Sequence, residues 1–321
     1  MTDPDRLLFA PQQVSTQSYK VIEKRSQDPR TGVKTGIASV DKYLNPHRPG
    51  ELRVVLGYTS NYKSGFMNFI ARNTAREIIK RGDSDKRCVI TVTWEQSVEE
   101  QGITDLAQLS VIDIGKMMRG ELEQAEWAKL RRAAVERGGL PWWLIGHSSE
   151  DKERRPRMSM SDLAGAITAL VDGQGITPEL ICLDYLQRIK REGDHDTRIQ
   201  FMEIVDRCKD MALAFNVPVM LGSQAGRSVK ARKWQLPQLD DAQETSNLEQ
   251  SADSFISLWM PKTSYPDGEV VEYGTEKISV DQNMLVCGIM KQKFGLAPKI
   301  VFLHVKPEIN MIYDTKQRTL E

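Results

Sequence analysis

Residues 52–81 hold the pattern that most restricts how this chain folds. Leu52-Arg53-Val54-Val55-Leu56 suits a buried strand, Gly57-Tyr58-Thr59-Ser60-Asn61-Tyr62-Lys63-Ser64 follows it, and apolar residues then recur at helical spacing from Gly65 to Arg81. A strand, a short loop and a helix in that order make a phosphate-binding loop, in which backbone N–H groups and a helix N-terminus surround the phosphate oxygens. In such a loop Lys63 reaches the β- and γ-phosphates and Ser64 binds Mg²⁺. Gly57 to Ser64 are therefore the expected nucleotide-binding residues, with ATP and Mg²⁺ as ligands. One position departs from the pattern. The residue before the lysine is ordinarily Gly, which gives backbone freedom and lets phosphate come close; here it is Tyr62.

The rest of the chain repeats the strand-then-helix alternation. At 321 residues it can form one large α/β domain or two smaller ones. Apolar runs at 52–57, Arg87–Thr93, Leu140–Ile145, Leu180–Leu183, Val217–Leu221 and Ser254–Met260 predict strands. Amphipathic stretches at 63–81, 97–108, 121–137, 160–173 and 197–215 predict helices between several of them. This order predicts a mostly parallel sheet with helices on both faces. Met284–Met290 and Lys299–Val305, separated by Gly295 and Pro298, predict a C-terminal β-hairpin. Residues 1–34 are polar with little periodicity and read as an arm, leaving 35–321 as the folded domain.

Composition narrows the setting. No apolar run reaches membrane-spanning length, and the start lacks the basic and apolar segments of a secretory signal. Cys88, Cys182, Cys208 and Cys287 are far apart, without metal-ligand spacing, and read as reduced thiols, so a cytoplasmic protein is expected. The charge is balanced, 44 basic against 44 acidic residues, but the cations cluster at Lys152–Arg157, Arg188–Arg191 and Arg227–Lys233. Taken singly, each cluster reads as a solvated loop or as a local phosphate-binding patch.

In parallel sheets, ligands gather at the carboxyl ends of the strands. After Val89–Thr93 comes Glu95, either a helix-start residue or the base that orients and deprotonates a water at the γ-phosphate. Leu180–Leu183 ends in Asp184, the arrangement that holds Mg²⁺ in nucleotide hydrolases. Val217–Leu221 leads to Gln224, either a turn residue or an amide that senses the γ-phosphate. Lys291 and Lys293 end a strand near the C-terminus, where they are poorly placed for their own loop but suited to complete a neighbour's site in trans.

These residues, in this order, resemble the C-terminal motor domain of DnaB-type replicative helicases, within the RecA-like P-loop ATPases, over roughly Thr35 to Tyr313. Thr35–Asp41 is similar to the family's entry motif, Val92–Gln96 to its catalytic-Glu strand and Asp184–Gln187 to its Walker B segment. Asn216–Val219 with Ser223–Ser228 match the sensor strand, and Leu248–Asp253 the signature near the DNA-binding loop. Lys291–Gly295 is similar to the segment carrying the trans-acting fingers.

The resemblance implies a homo-oligomeric ring, hexameric in the family, with ATP between subunits and single-stranded DNA in the channel. It places Arg188, Lys190, Arg191, Arg227, Lys230, Arg232 and Lys233 on channel-facing loops, where cations track a backbone without reading sequence. It leaves Lys152–Arg157 as a surface loop. The chain departs from the family at Tyr62 and at Lys293, where Arg is usual. It also has no counterpart to the N-terminal helical domain, so the arm is expected to pack on a neighbouring subunit. The leading expectation is an ATP-dependent DNA helicase or translocase with a loader or replication partner. The alternative is a nucleotide-dependent DNA-binding scaffold or loader with weak or no unwinding. A small-molecule kinase would need an acceptor pocket for which the sequence has no motif.

Overall fold

A computed structural model describes residues 8–28, 31–151, 158–192, 196–242 and 247–320. It opens with helices α1 (Pro11–Gln27) and α2 (Ala38–Asp41), then strand β1 (Leu52–Gly57) and helix α3 (Lys63–Lys80). There follow β2 (Arg87–Thr93), α4 (Val98–Ser110), α5 (Ile114–Met118), α6 (Gln124–Gly139), β3 (Trp142–Ile145) and α7 (Met160–Gln174). Next come β4 (Thr177–Asp184), α8 (Thr197–Ala214), β5 (Val219–Gln224), α9 (Asn247–Ser251) and β6 (Ser254–Trp259). The C-terminal part holds β7 (Val270–Tyr273), β8 (Glu276–Ser279), β9 (Met284–Gln292), β10 (Lys299–Lys306) and β11 (Met311–Leu320).

The main sheet has the order β11-β10-β9-β6-β1-β5-β4-β2-β3. Strands β6, β1, β5, β4, β2 and β3 are mutually parallel, and β9, β10 and β11 continue the sheet antiparallel from β6. The mostly parallel sheet and the β9–β10 hairpin are as the sequence predicts.

Strand β1 shows why the apolar runs are nearly continuous. Every residue of it is buried, because helices cover both faces of a parallel sheet. Leu52, Val54 and Leu56 join the core beneath α7 and α8 with Leu163, Ile167, Val205 and Cys208. The alternate residue Val55 faces the other core, with Phe66, Met67, Ile70 and Ile78 of α3. Arg53 shares that second face, 3% exposed, and is satisfied by Ser254 Oγ at 2.8 Å and Asn45 O at 2.7 Å. All four cysteines are buried free thiols.

Several elements go beyond expectation. Residues 11–27 of the predicted arm form a helix, begun by a proline at its first position and ended by Lys24 and Arg25, both favourable for helix termini. No residue of α1 is buried, and Val14, Tyr19 and Ile22 are exposed. The C-terminal hairpin gains a third strand, β11, paired to β10. A separate β7–β8 hairpin packs Val271 and Ile278 against Trp259 and Leu236.

A buried polar group locks α3 to α4 and α6. Asp105, fully buried on α4, meets Arg72 of α3 at 3.4 Å, Arg137 of α6 at 2.8 Å and Gln101 at 3.3 Å. Trp142 lies under the Arg137 guanidinium at 4.7 Å. Since α4 begins two residues after Gln96 and is capped by Ser97, this cluster also fixes the segment carrying Glu95. Asp105→Ala leaves the buried Arg72 and the half-buried Arg137 guanidinium groups without their counter-charge. Chemical denaturation is expected to show a loss of about 3–5 kcal/mol, well beyond that of an exposed ion pair.

Candidate nucleotide site

The sheet order places the carboxyl ends of β1, β5, β4 and β2 side by side, with Gly57 opposite Gln224 and Thr93 opposite Asp184. The loop after β1 and the residues ending those strands therefore converge. They enclose a cleft of about 410 Å³ walled by Thr59 to Gly65, Glu95, Asp184 and Gln224. Tyr185, Met260, Lys262 and Pro307 complete the wall, and none of these four was singled out from sequence.

Lys63 Nζ lies over the loop, donating to Gly57 O at 2.8 Å and Tyr58 O at 3.2 Å. Burial lowers the Lys63 pKa, opposed by the nearby charges of Asp184 and Glu95. Asp184 is under the converse tension. Burial pushes its carboxyl up, while the Ser64 hydroxyl and the Lys63 charge pull it down and Glu95 pushes it up. Its Oδ1 is buried without a hydrogen-bond partner among the described residues. A buried carboxylate oxygen without a donor, beside a serine hydroxyl, suits a hard cation that takes oxygen ligands, so the residues fit Mg²⁺. Gly222 makes the space, since a Cβ there would lie 3.2 Å from Asp184 Oδ1. Helix α3 begins without a side-chain cap, which leaves its first-turn N–H groups for an anion.

The loop is also held from outside. Gln224 Nε2 donates to Thr59 Oγ1 at 2.6 Å, and Ala225 N donates to Gly57 O at 3.1 Å. The Gln224 amide N–H in turn donates to Gln187 Oε1 at 3.2 Å. Asn61 Oδ1 accepts from Met260 N at 2.6 Å, tying the loop to the end of β6. These ties join residues far apart in sequence and leave no local signal.

Among the expected channel residues, Lys190, Arg191, Arg227, Lys230 and Lys233 are exposed. Arg188 has a buried Nε without a partner among the described residues, and Arg191 donates to Thr197 Oγ1 at 3.1 Å. Arg232 is ion-paired to Asp241, a buried residue that also accepts from Gln238 N at 2.7 Å. Lys230 Nζ sits over the Tyr58 ring, 4.7 Å from its centroid. Lys291 donates to Glu249 O at 2.6 Å and Lys293 lies 3.7 Å from Asp253, where β9 pairs with the first residues of β6. That is the end of the sheet opposite the cleft, so neither lysine joins Lys63 in this chain. The Lys152–Arg157 cluster lies outside the described residues.

Tyr62 answers the steric question its sequence position raises. Its backbone takes the left-handed conformation, φ 62° and ψ 23°, which costs a non-glycine residue about 1–2 kcal/mol. Its ring turns onto Gly65, where a Cβ would come within 2.6 Å of the ring. Its hydroxyl donates to Asn310 Oδ1 at 3.0 Å, in the turn between β10 and β11. Burial pushes the phenol pKa up, so the hydroxyl stays a donor. The ring thus lies in space that the absence of a side chain at 65 leaves open. Gly65→Ala is expected to weaken ATP binding about tenfold or more in calorimetry, yet change it less than about twofold in a Tyr62→Gly background.

The DnaB-like helicase C terminal domain family model matches residues 32–309. The replicative DNA helicase DnaB of Nostoc sp. is 28% identical over 256 residues, covering 79% of this chain and 27% of that protein. The replicative DNA helicase DnaC of Bacillus subtilis is 26% identical over 309 residues, covering 95% of this chain and 62% of that protein. The chain thus spans between about a quarter and three-fifths of the length of these two relatives. A solved ATPase domain superposes with a TM-score of 0.78 at 20% identity, covering 96% of this chain and 99% of that one. A DnaB-like replicative helicase, solved with attention to its interactions with primase, gives 0.77 at 20% identity, covering 96% and 68%. Those two likenesses show the fold, that of a RecA-like ATPase domain. With the family model matching most of its length, the chain belongs to the DnaB-like helicase C-terminal domain family.

Proposed function

We propose that this chain is an ATP-dependent DNA helicase or translocase, hydrolysing ATP between the subunits of a ring that holds single-stranded DNA in its channel. The observation that carries the reading is the buried, donor-free oxygen of Asp184 beside Ser64 and Lys63, in a cleft that Glu95 and Gln224 also line. Gly57 to Ser64 wrap the phosphates, with Lys63 neutralising charge on the β- and γ-phosphates. Ser64 and Asp184 hold Mg²⁺, which when bound neutralises charge developing on the phosphate oxygens. Glu95, exposed at the cleft mouth, orients and deprotonates the attacking water. Gln224 senses the γ-phosphate, exchanging its bond to Thr59 for one to phosphate.

The placement of Lys291 and Lys293 at the opposite end of the sheet supports their action on a neighbour's phosphates. A contact joining opposite ends of two copies is head-to-tail, and head-to-tail contacts generate a ring when their rotation closes. The exposed apolar residues of α1 support an arm, within residues 1–34, that packs on an adjacent ATPase domain spanning 35–321. Arg188, Lys190, Arg191, Arg227, Lys230 and Lys233 supply backbone contacts to DNA, with Arg232 shaping their loop through Asp241. The protein works in the cytoplasm with a loader or replication partner.

Steady-state ATP hydrolysis with Mg²⁺, with and without single-stranded DNA, tests this. Turnover is expected to rise several-fold with DNA, and Glu95→Gln to lower it by about a hundredfold or more while ATP still binds. No turnover under either condition, with Glu95→Gln indistinguishable from the parent protein, overturns the proposal. Oligomerisation on ATP without displacement of an annealed strand assigns a scaffold instead.

A further inference from the structure

Two adjacent residues of the phosphate loop are engaged by the last residue of β5 and by the segment that follows it. Thr59 accepts from Gln224, and the ring of Tyr58 carries the Lys230 ammonium at 4.7 Å. The first contact belongs to the γ-phosphate reading already given. The second joins a half-buried aromatic, packed on its inner side against the core, to an exposed lysine on a proposed channel loop.

The backbone around Lys230 is held without any help from Tyr58. Val229, 1% exposed, anchors the short turn Arg227–Ala231, and Gly226 N donates to Asp241 O at 2.8 Å. Arg232 pairs with Asp241 on the far side. The lysine side chain is therefore free to leave the ring without unfolding its loop. The other end of the contact is tied to the phosphate site, because Lys63 Nζ donates to the carbonyls of Gly57 and Tyr58. When Lys63 turns to a phosphate it releases the Tyr58 peptide that carries the ring.

We infer that Tyr58 is a positioning residue, an aromatic seat for Lys230 through which the phosphate loop and the nucleic-acid loop sense each other. Resting on the proposed binding of ATP and single-stranded DNA, this assigns a specific route between the two sites. A ligand that shifts Tyr58 changes where the Lys230 charge sits, and a nucleic-acid phosphate that draws Lys230 changes the loop around Lys63. Coupling between two binding sites is reciprocal, so one contact serves both directions. A cation over an aromatic ring at a partly exposed site contributes about a two- to fivefold factor.

The test is a double-mutant cycle on coupling. Binding of a fluorescent oligothymidylate to the full chain is measured by anisotropy, with and without Mg²⁺ and a non-hydrolysable ATP analogue. The ratio of the two affinities is compared among variants. Tyr58→Leu and Lys230→Gln are each expected to move that ratio toward one by about two- to fivefold, and the double variant by no more than either. Tyr58→Phe, which keeps the ring, is expected to keep the parent ratio. An unchanged ratio in Lys230→Gln, or additive effects in the double variant, overturns the inference. Lys230→Gln, on an exposed side chain, decides the matter if Tyr58→Leu does not fold. A parent chain that binds the oligonucleotide with no response to the analogue removes this inference and leaves the DNA-binding reading standing. A parent chain that binds no oligonucleotide removes both.

Discussion

Strand β1 is hydrogen-bonded to β5 on one side and to β6 on the other, in unbroken parallel register from its first residues to Gly57. A strand paired on both edges and buried on both faces cannot slide by one residue without turning Val54 and Val55 into each other's core. The loop from Gly57 to Ser64 therefore starts from a fixed point. Its far end is fixed as well, by Phe66, Met67 and Ile70 packing α3 onto the sheet. Everything that meets at the cleft depends on this double anchoring. The ends of β5, β4 and β2 bring Gln224, Asp184 and Glu95 to a loop that does not drift.

The cleft itself is held in electrostatic tension. Lys63 and Asp184 are both taken out of water, and each is made tolerable by the other and by near neighbours: two backbone carbonyls for the ammonium, the Ser64 hydroxyl for the carboxyl. The pairing is incomplete, since Asp184 Oδ1 has no donor among the described residues. Desolvated polar groups left unmatched are unfavourable for folding. An unmatched carboxylate oxygen here, at the mouth of a rigid sheet, is a place where the fold gives up some stability for ligand affinity. The Asp105 cluster is a contrasting case: its carboxylate is surrounded by donors and serves to hold helices together.

Strands β1, β2, β4, β5 and β6 were legible because burial on both faces leaves a continuous apolar run. The phosphate loop, Asp184 and Gln224 were legible because strand-end polar residues follow those runs directly. What escaped has physical reasons. Helix α1 is mostly polar and buries no residue, and its few apolar positions, Val14, Tyr19, Val21 and Ile22, sit in a stretch that reads as an arm. Strand β7, with Val270 exposed and Val271 buried, is too short to show a period. The ties from Asn61 to Met260 and from Gln224 to Thr59 span 199 and 165 residues, separations at which sequence pattern says nothing about contact. The Tyr62 position was recognised as unusual, but its remedy was not, because Gly65 reads as an ordinary helix residue until the ring is seen lying on it.

That exchange restricts the paths by which such a loop can arise. With a side chain at position 65, the ring of Tyr62 must leave the place it occupies here. With glycine at 65 and glycine at 62, the loop merely gains freedom, at a modest penalty to the first turn of α3. Glycine at 65 before tyrosine at 62 is therefore the order of substitution that avoids the steric conflict. The reverse order places a Cβ at 65 within 2.6 Å of the Tyr62 ring, so the ring must shift. The two positions are coupled in one direction only: while the ring rests on Gly65 and its hydroxyl on Asn310, a side chain at 65 meets the ring, whereas glycine at 62 removes the ring that it would meet.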